Sequence, residues 1–198
     1  MPSLVVPFRG AEGKSRLGPL PGNVRAALAR AMLDDVVSEC TAVGPTYVVG
    51  PAATHAPGAM HVLEPGGGLG AAVRAGLEVA ALSAGGAGPL LVVNADLPCV
   101  TARDLLALAG AVPADGLALA PAADGTTNAL AFAGPGLFVP VYGPGSAARF
   151  AALCPSRIVE APNLIDDVDT VADLERLQER LGPCTSSVLA SLRLGAVA

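Results

Sequence analysis

Short apolar runs alternate with alanine-rich helical segments over the first two thirds of the chain. The apolar runs are rich in β-branched residues or leucine, and they lie at residues 4–8, 46–50, 61–64 and 90–94. The helical segments lie at residues 24–37, 69–82 and 102–111. This alternation is typical of a mostly parallel sheet covered by helices. It predicts a doubly wound, Rossmann-like α/β fold, which binds ligands at the carboxyl ends of its strands.

The pattern changes after residue 115. The segment LALAPAADGTTNALAF reads as two strands around a turn that contains Gly125. A short turn between two such strands favours antiparallel pairing. We therefore expect a small antiparallel insertion on the parallel sheet.

Helix boundaries are predicted from polar side chains that precede helical patterns. Asn23 is the expected N-cap of the first helix, and Thr101 that of the helix at residues 102–111. A last helix is expected after Thr170, with Leu174 and Leu177 facing inward.

The 198 residues fit one domain, which we expect to span residues 1–198. The moderately apolar tail after Pro183 allows packing either on that domain or on a second subunit, so a homodimer is left open. Four dispersed cysteines lack metal-ligand spacing and are expected to be reduced thiols.

Composition argues against two classes of partner. Glycine and alanine interrupt every apolar run before it reaches the ~20 residues of a membrane span. The net charge is −5 and no cluster of Lys or Arg is present, which argues against nucleic-acid binding. LVVPF lacks the basic flank and the length of a signal peptide, so we expect a cytoplasmic protein.

The loop after the first apolar run carries the only lysine, Lys14, between Arg9 and Arg16. Three cations at the carboxyl edge of a sheet suit a triphosphate, although loop cations are commonly just solvated. The segment GAEGKS also suggests a P-loop, which would make the protein a kinase. However, the P-loop motif requires glycine where Phe8 stands, and the prolines that follow would stop the required helix.

Two acidic segments are candidates for a metal site. Asp96 follows the strand-like run at residues 90–94, where a carboxylate is a suitable Mg²⁺ ligand. Asp166, Asp167 and Asp169 precede the expected last helix, and one of them, with Asp169 as the first candidate, could serve only as its cap. If Asp96 meets one of these acids at the sheet edge, the pair forms a two-carboxylate metal site.

Two further loops are rich in small residues. The segment EPGGGLG at residues 64–70 permits close backbone approach to a ligand and leads into a helix, although a plain turn explains it nearly as well. Thr127, Gly143 and Ser146 also lie in expected loops. Ser146 is the expected N-cap of a helix, where its hydroxyl and the nearby amides could hold a small anion.

Taken together, these segments resemble a known enzyme family. VPFRGAEGKSRL, GGGLGAAVRAGL, NADLP, GTTNALAF, YGPGSAARF and DVDTVADL occur in the order found in the guanylyltransferases of coenzyme F-420 biosynthesis. The chain is similar to 2-phospho-L-lactate and phosphoenolpyruvate guanylyltransferases from about residue 5 to residue 177. Among these motifs, GTTNALAF and YGPGS are the more diagnostic pair.

The resemblance implies a nucleotidyltransferase fold that uses GTP, Mg²⁺ and a small phosphorylated carboxylic acid, most simply phosphoenolpyruvate. The implied residues fall into four groups: Lys14, Arg9 and Arg16 at the GTP phosphates; Gly67, Gly68 and Gly70 against the guanosine; Asp96, Asp167 and Asp169 at the metal; Thr127, Gly143 and Ser146 at the phospho-acid. The chain departs from the family pattern at Arg9, where relatives carry lysine, and at Gly70, where they carry asparagine.

Other functions remain open from the sequence alone. A transferase of the same fold could act on molybdopterin or a sugar phosphate, a P-loop-like kinase would release a nucleoside diphosphate, and a nucleotide sensor would bind GTP without turnover. A phosphorylated acid needs no general base for attack, since its phosphate is already ionised. This agrees with the lack of a convincing His or Cys nucleophile.

Overall fold

The computed structural model describes residues 1–10, 17–18, 20–84 and 88–195. Its sheet has seven strands: β1 (Ser3–Pro7), β2 (Thr46–Gly50), β3 (Met60–Leu63), β4 (Leu90–Val93), β5 (Leu117–Pro121), β6 (Thr127–Phe132) and β7 (Ser156–Ile158). The helices are α1 (Gly22–Val43), α2 (Leu69–Ala84), α3 (Ala102–Gly110), α4 (Ser146–Ala151), α5 (Pro162–Ile165), α6 (Val171–Leu177) and α7 (Pro183–Gly195). A 3-10 turn covers Pro135–Leu137.

The strand order is β3-β2-β1-β4-β6-β5-β7. Strands β3, β2, β1 and β4 run parallel, whereas β6 pairs antiparallel with both β4 and β5, and β7 returns parallel to β5. The predicted α/β fold and its antiparallel insertion are thus confirmed. Because β6 is reversed, its first residues lie beside the end of β4, where Asn94 N–H donates to the Asn128 carbonyl at 3.0 Å.

The five central strands, β2, β1, β4, β6 and β5, are buried on both faces, as their apolar runs predict. Alternate residues of β1 enter different apolar clusters: Leu4 and Val6 pack with α1 and α3, and Val5 packs with α2. Gly76 of α2 lies so close to the sheet that a Cβ there would be 2.4 Å from Val5 Cγ1. Among the described residues, no helix has the length and apolarity to cross a lipid bilayer.

The predicted helix starts are partly confirmed. Thr101 caps α3 and Thr170 caps α6, each in a reciprocal capping box with an aspartate three residues later. The prediction for Asn23 was wrong, because α1 already begins at Gly22 and its N-cap is Pro21, with no side-chain cap. Pro21 has extended backbone angles, and its carbonyl accepts the first helical hydrogen bond, from Arg25 N–H at 3.0 Å.

The C-terminal tail packs on α1 of the same chain. Val188 and Leu189 of α7 contact the cluster formed by Leu28 and Met32. The buried Asp35 carboxylate of α1 accepts hydrogen bonds from Cys184 N–H at 2.8 Å and Thr185 N–H at 2.9 Å. Asp35 therefore supplies the negative charge and the acceptors that the first turn of α7 needs.

Replacement of Asp35 by alanine should destabilise the fold, because two N–H groups of α7 lose a charged acceptor. We expect Asp35→Ala to cost about 2 kcal/mol, or about 4–8 °C in melting temperature. Asp34→Ala is the matched control, since the neighbouring Asp34 only pairs with Arg30 at the surface and should cost at most about 0.5 kcal/mol. Equal losses in thermal unfolding of the two variants would contradict this role of Asp35.

Candidate active site

Three aspartates converge at the carboxyl edge of the sheet. Ligand oxygens of Asp96, Asp167 and Asp169 all lie within 4.8 Å of one another. Asp96 follows β4, whereas Asp167 and Asp169 lie between α5 and α6. The two segments are joined by the backbone, since Val168 N–H donates to the Asp96 carbonyl at 3.0 Å. The fold thus brings together two acidic segments that are about seventy residues apart in sequence.

The electrostatics of this cluster favour a cation. Partial burial, together with the neighbouring charges of Asp96 and Asp169, raises the pKa of Asp167 to about 6. Hydrogen bonding from the Asn128 side chain offsets only part of this effect. Mutual repulsion is relieved if a hard cation binds between the carboxylates, and carboxylate oxygens are the ligands that Mg²⁺ prefers. The donor set therefore fits Mg²⁺.

Asp166 has a different role from its two neighbours. It accepts hydrogen bonds from Arg176 at 2.7 Å and from Arg180. Partial burial raises the pKa of Asp166, but the bonds from Arg180 and Arg176 outweigh that effect and hold it below its usual value. The sequence left open which of Asp166, Asp167 and Asp169 binds a metal. Of these three, Asp166 is occupied by ion pairs. The suggestion that Asp169 serves only as a helix cap was wrong, since Thr170 is the cap of α6.

A pocket of about 200 Å³ opens beside the carboxylates, lined by Arg9, Asn94 and Asp96 among others. The Arg9 guanidinium also lies against the glycine-rich loop, where a Cβ at Gly68 would be 3.8 Å from its Nη2. Arg9, Gly68 and Asp96 are therefore brought together. The other two predicted cations, Lys14 and Arg16, lie outside the described residues.

Glycine is required along the loop that enters α2. Gly66, Gly67 and Gly68 have φ values of 79°, 81° and 82°, which other residues rarely adopt. Gly70, already in the helix, is needed for a different reason, because a Cβ there would be 2.6 Å from Cβ of Pro140. Gly67 and Gly70 also line a pocket of about 630 Å³ with Pro140.

The predicted anion-binding residues are also brought together. The hydroxyls of Thr127 and Ser146 are buried and 3.0 Å apart, and Ser146 N–H donates to the Gly143 carbonyl at 2.9 Å. The prediction that Ser146 caps α4 was wrong, because Gly145 holds the N-cap position. The left-handed conformation of Gly145 makes Ser146 the first helical residue and directs its hydroxyl toward Thr127.

The β5–β6 turn connects the two parts of the site. Asp124 in this turn lines a pocket of about 300 Å³ that also includes Asp167 and Asp169. The next residue, Gly125, accepts a hydrogen bond from Ala147 N–H of α4 at 3.2 Å. The β5–β6 turn therefore contacts both this second pocket and the helix that carries Ser146, while Asp96 lines the Arg9 pocket. Two pockets that meet at the carboxylates suit transfer of a group between two bound substrates.

Sequence reasoning missed two residues that organise this site. The buried Asn128 amide donates to the carbonyls of Leu164 and Ile165, both at 3.0 Å, and thereby anchors the segment that leads to Asp167. The feature of the sequence that could have indicated Asn128 is its side-chain amide within an otherwise apolar strand. Arg149 lies in the segment YGPGSAARF, but nothing in the sequence indicated that its side chain turns back onto the preceding loop.

The chain is similar in sequence to known proteins. A family model for MobA-like NTP transferase domains matches residues 23–161. A phosphoenolpyruvate guanylyltransferase from Sphaerobacter thermophilus is 39% identical over 189 residues, covering 87% of this chain and 90% of the relative. One from Streptomyces coelicolor is 35% identical and covers 96% of each chain. A 2-phospho-L-lactate guanylyltransferase from Natrialba magadii is 34% identical, covering 86% of this chain and 80% of the relative.

Solved structures show the same fold at lower identity. A protein from Desulfovibrio desulfuricans, described as a nucleotide-diphospho-sugar transferase, has a TM-score of 0.74 at 18% identity and covers 96% of this chain and 94% of its own. The 2-C-methyl-D-erythritol 4-phosphate cytidylyltransferase from Thermus thermophilus has a TM-score of 0.60 at 16% identity, with coverages of 94% and 97%.

Replacement of Asp167 by asparagine should stabilise the metal-free protein at about pH 7.5. The raised pKa of Asp167 means that its charged form costs stability above about pH 6, and that this cost disappears as the pH falls toward 4. Since water partly screens the repulsion, we expect Asp167→Asn to gain about 1 kcal/mol, or about 2–4 °C, at the higher pH. The gain should vanish at about pH 4.

Asp166→Asn is the matched control for this experiment. Because Asp166 is ion-paired and its pKa is lowered, its loss should reduce the melting temperature at about pH 7.5. Thermal unfolding with a chelator present, repeated with added Mg²⁺, measures both effects. A lower melting temperature for chelated Asp167→Asn than for the wild type at this pH would contradict the electrostatic account.

Proposed function

We propose that this chain, which belongs to the MobA-like NTP transferase family and to the phosphoenolpyruvate and 2-phospho-L-lactate guanylyltransferases, condenses GTP with phosphoenolpyruvate and releases pyrophosphate. The chain is a nucleotidyltransferase. The observation that carries the proposal is the convergence of Asp96, Asp167 and Asp169 beside the Arg9 pocket, in a chain 39% identical to a phosphoenolpyruvate guanylyltransferase.

The choice of phosphoenolpyruvate follows the names of the relatives. Those from S. thermophilus and S. coelicolor are phosphoenolpyruvate guanylyltransferases, whereas the N. magadii relative is named for 2-phospho-L-lactate. With phosphoenolpyruvate the product is enolpyruvoyl-diphospho-5′-guanosine, and with 2-phospho-L-lactate it is the lactyl analogue. We therefore propose that the protein acts in coenzyme F-420 biosynthesis, in the cytoplasm.

In the proposed reaction, a phosphate oxygen of phosphoenolpyruvate attacks the α-phosphorus of GTP in line. One phosphorus–oxygen bond forms, the bond between the α-phosphorus and the bridging oxygen breaks, and pyrophosphate leaves with that oxygen. The attacking phosphate is already ionised at neutral pH, so no side chain has to remove a proton. The protein contributes positioning and the neutralisation of negative charge.

The charges of the site suit this chemistry. Asp96, Asp167 and Asp169 would hold Mg²⁺, which supplies charge neutralisation for the triphosphate when bound. Arg9 lies in the pocket that Asp96 also lines, where it can bind phosphate oxygens directly. The family resemblance adds Lys14 and Arg16 to this phosphate site. Gly67, Gly68 and Gly70 would lie against the guanosine, where their lack of side chains permits close approach.

The second substrate is proposed to bind at Thr127, Gly143 and Ser146. The Thr127 and Ser146 hydroxyls share one hydrogen bond, and since a hydroxyl has one donor and two acceptor positions, the pair retains a donor for an anion. The β5–β6 turn joins this pair to the pocket beside Asp167 and Asp169. Phosphoenolpyruvate would thus bind outside the Arg9 pocket, which is proposed to receive the triphosphate.

Turnover with GTP, Mg²⁺ and phosphoenolpyruvate should release pyrophosphate, measured as inorganic phosphate after cleavage by a coupling pyrophosphatase. We expect Asp96→Asn and Asp169→Asn to lower kcat by about 100-fold or more, and Lys14→Ala to lower it as well. Asp115→Asn is the matched control, because Asp115 is an exposed aspartate in the turn before β5 and its loss should leave the rate unchanged.

A panel of phosphoenolpyruvate, 2-phospho-L-lactate and 3-phosphoglycerate tests the choice of acid. Release of GDP instead of pyrophosphate would indicate the kinase, and binding of GTP without any turnover would indicate a sensor. Absence of pyrophosphate with all three acids would refute the proposed reaction. Turnover only with a sugar phosphate or only with molybdopterin would refute phosphoenolpyruvate as the substrate.

A further inference from the structure

The Arg149 side chain is bonded entirely to the backbone of the loop that precedes its own helix. Its Nε and Nη2 donate to the Val141 carbonyl at 3.1 and 2.9 Å, and Nη2 also donates to the Tyr142 carbonyl at 3.2 Å. Its Nη1 donates to the Pro144 carbonyl at 2.6 Å. One guanidinium thus fixes three peptide units within the five residues 141–145.

The loop closes tightly around this guanidinium. A Cβ at Gly143 would be 3.7 Å from Nη2, and a Cβ at Gly145 would be 3.7 Å from Nη1. Both glycines have positive φ, 111° at Gly143 and 71° at Gly145. The backbone can therefore wrap the planar donor fork of Arg149, and only glycine adopts these two conformations without strain.

The direction of the carbonyls determines the direction of the amides. A peptide unit is planar and trans, so its N–H points opposite to its C=O, and none of the described peptide bonds is cis. The units whose carbonyls face Arg149 therefore direct the N–H groups of Tyr142, Gly143 and Gly145 away from the guanidinium. Within the described part of the chain, the N–H groups of Gly143 and Gly145 donate to no other group.

We propose that Arg149 is a positioning residue for the phosphorylated acid. By holding three carbonyls on one side of the loop, it presents the Gly143 and Gly145 amides on the other side as donors to the bound anion. Backbone amides that point into one concavity form a known type of anion site. The inference rests on the proposed function, because it assigns these donors to the phosphoenolpyruvate that Thr127 and Ser146 are proposed to bind.

The loop does not depend on Arg149 for its attachment to the fold. Tyr142 packs against Phe150 with ring centroids 5.1 Å apart, and Phe138 stacks on Phe150 at 6.4 Å. Phe150 is fully buried. Removal of the guanidinium should therefore leave the loop anchored by its aromatic residue while its peptide units become free to rotate. This separates loss of anion binding from loss of folding.

The test compares Arg149→Ala and Arg149→Lys with the matched control Arg157→Ala, which removes an exposed arginine of β7. Initial rates are measured with GTP and phosphoenolpyruvate varied separately. We expect both Arg149 variants to raise the KM for phosphoenolpyruvate by about tenfold or more. The KM for GTP should change less than about twofold, and Arg157→Ala should match the wild type. Added methylguanidinium should partly restore the KM for phosphoenolpyruvate in Arg149→Ala.

Lysine is informative because it keeps the positive charge but lacks the planar fork. A normal KM for phosphoenolpyruvate in Arg149→Lys would show that charge alone suffices and would overturn the positioning role. An equal rise in both KM values, or a lower melting temperature with unchanged KM values, would show a purely structural role and overturn it too. If Arg149→Ala does not fold, Arg149→Lys is judged by the same measurements.

Calorimetric titration of the wild type with phosphoenolpyruvate separates this inference from the proposed function. If the wild type binds and turns over phosphoenolpyruvate and the Arg149 variants do so equally well, only the inference about Arg149 is overturned. A wild-type protein that neither binds nor turns over phosphoenolpyruvate would overturn the proposed function, and the inference with it.

Discussion

The site depends on holding three like charges together against their repulsion. Three carboxylates within 4.8 Å would move apart on flexible loops. Here the backbone bond between Val168 and Asp96 joins the two acidic segments, and the Asn128 amide fixes the segment before Asp167. The surrounding sheet and helices therefore hold the three carboxylates close together despite their repulsion, in an arrangement that a cation would stabilise.

The reversed strand β6 is the second requirement. In a purely parallel sheet, the start of a strand lies at the edge opposite to the ligands. Because β6 pairs antiparallel with β4, Thr127 and Asn128 at its start lie beside Asn94 at the end of β4. The start of one short strand thus supplies both Thr127 of the hydroxyl pair and Asn128, which anchors the segment before Asp167, so the positions of these two groups are coupled.

The central strands could be predicted from the sequence because burial on both faces leaves a continuous apolar run. Strand β7 was missed because its three residues, of which Arg157 and Ile158 are exposed, carry no such pattern. The separate roles of Asp166 and Asp167 depend on Arg176 and Arg180, ten and more residues later, so local sequence could not distinguish them. The predictions that Asn23 and Ser146 are N-caps were wrong. At both positions the path of the backbone into the helix, rather than the polar side chain, determines where the helix begins.

The position of α7 has a consequence for folding of the protein. The first helix covers Asp35, Leu28 and Met32 only when residues 183–189 fold back onto it. Until that contact forms, this helix keeps an uncovered acidic and apolar surface. Completion of the N-terminal half therefore requires a contact between segments 150 residues apart, and a chain truncated before residue 183 should be a ready target for chaperones.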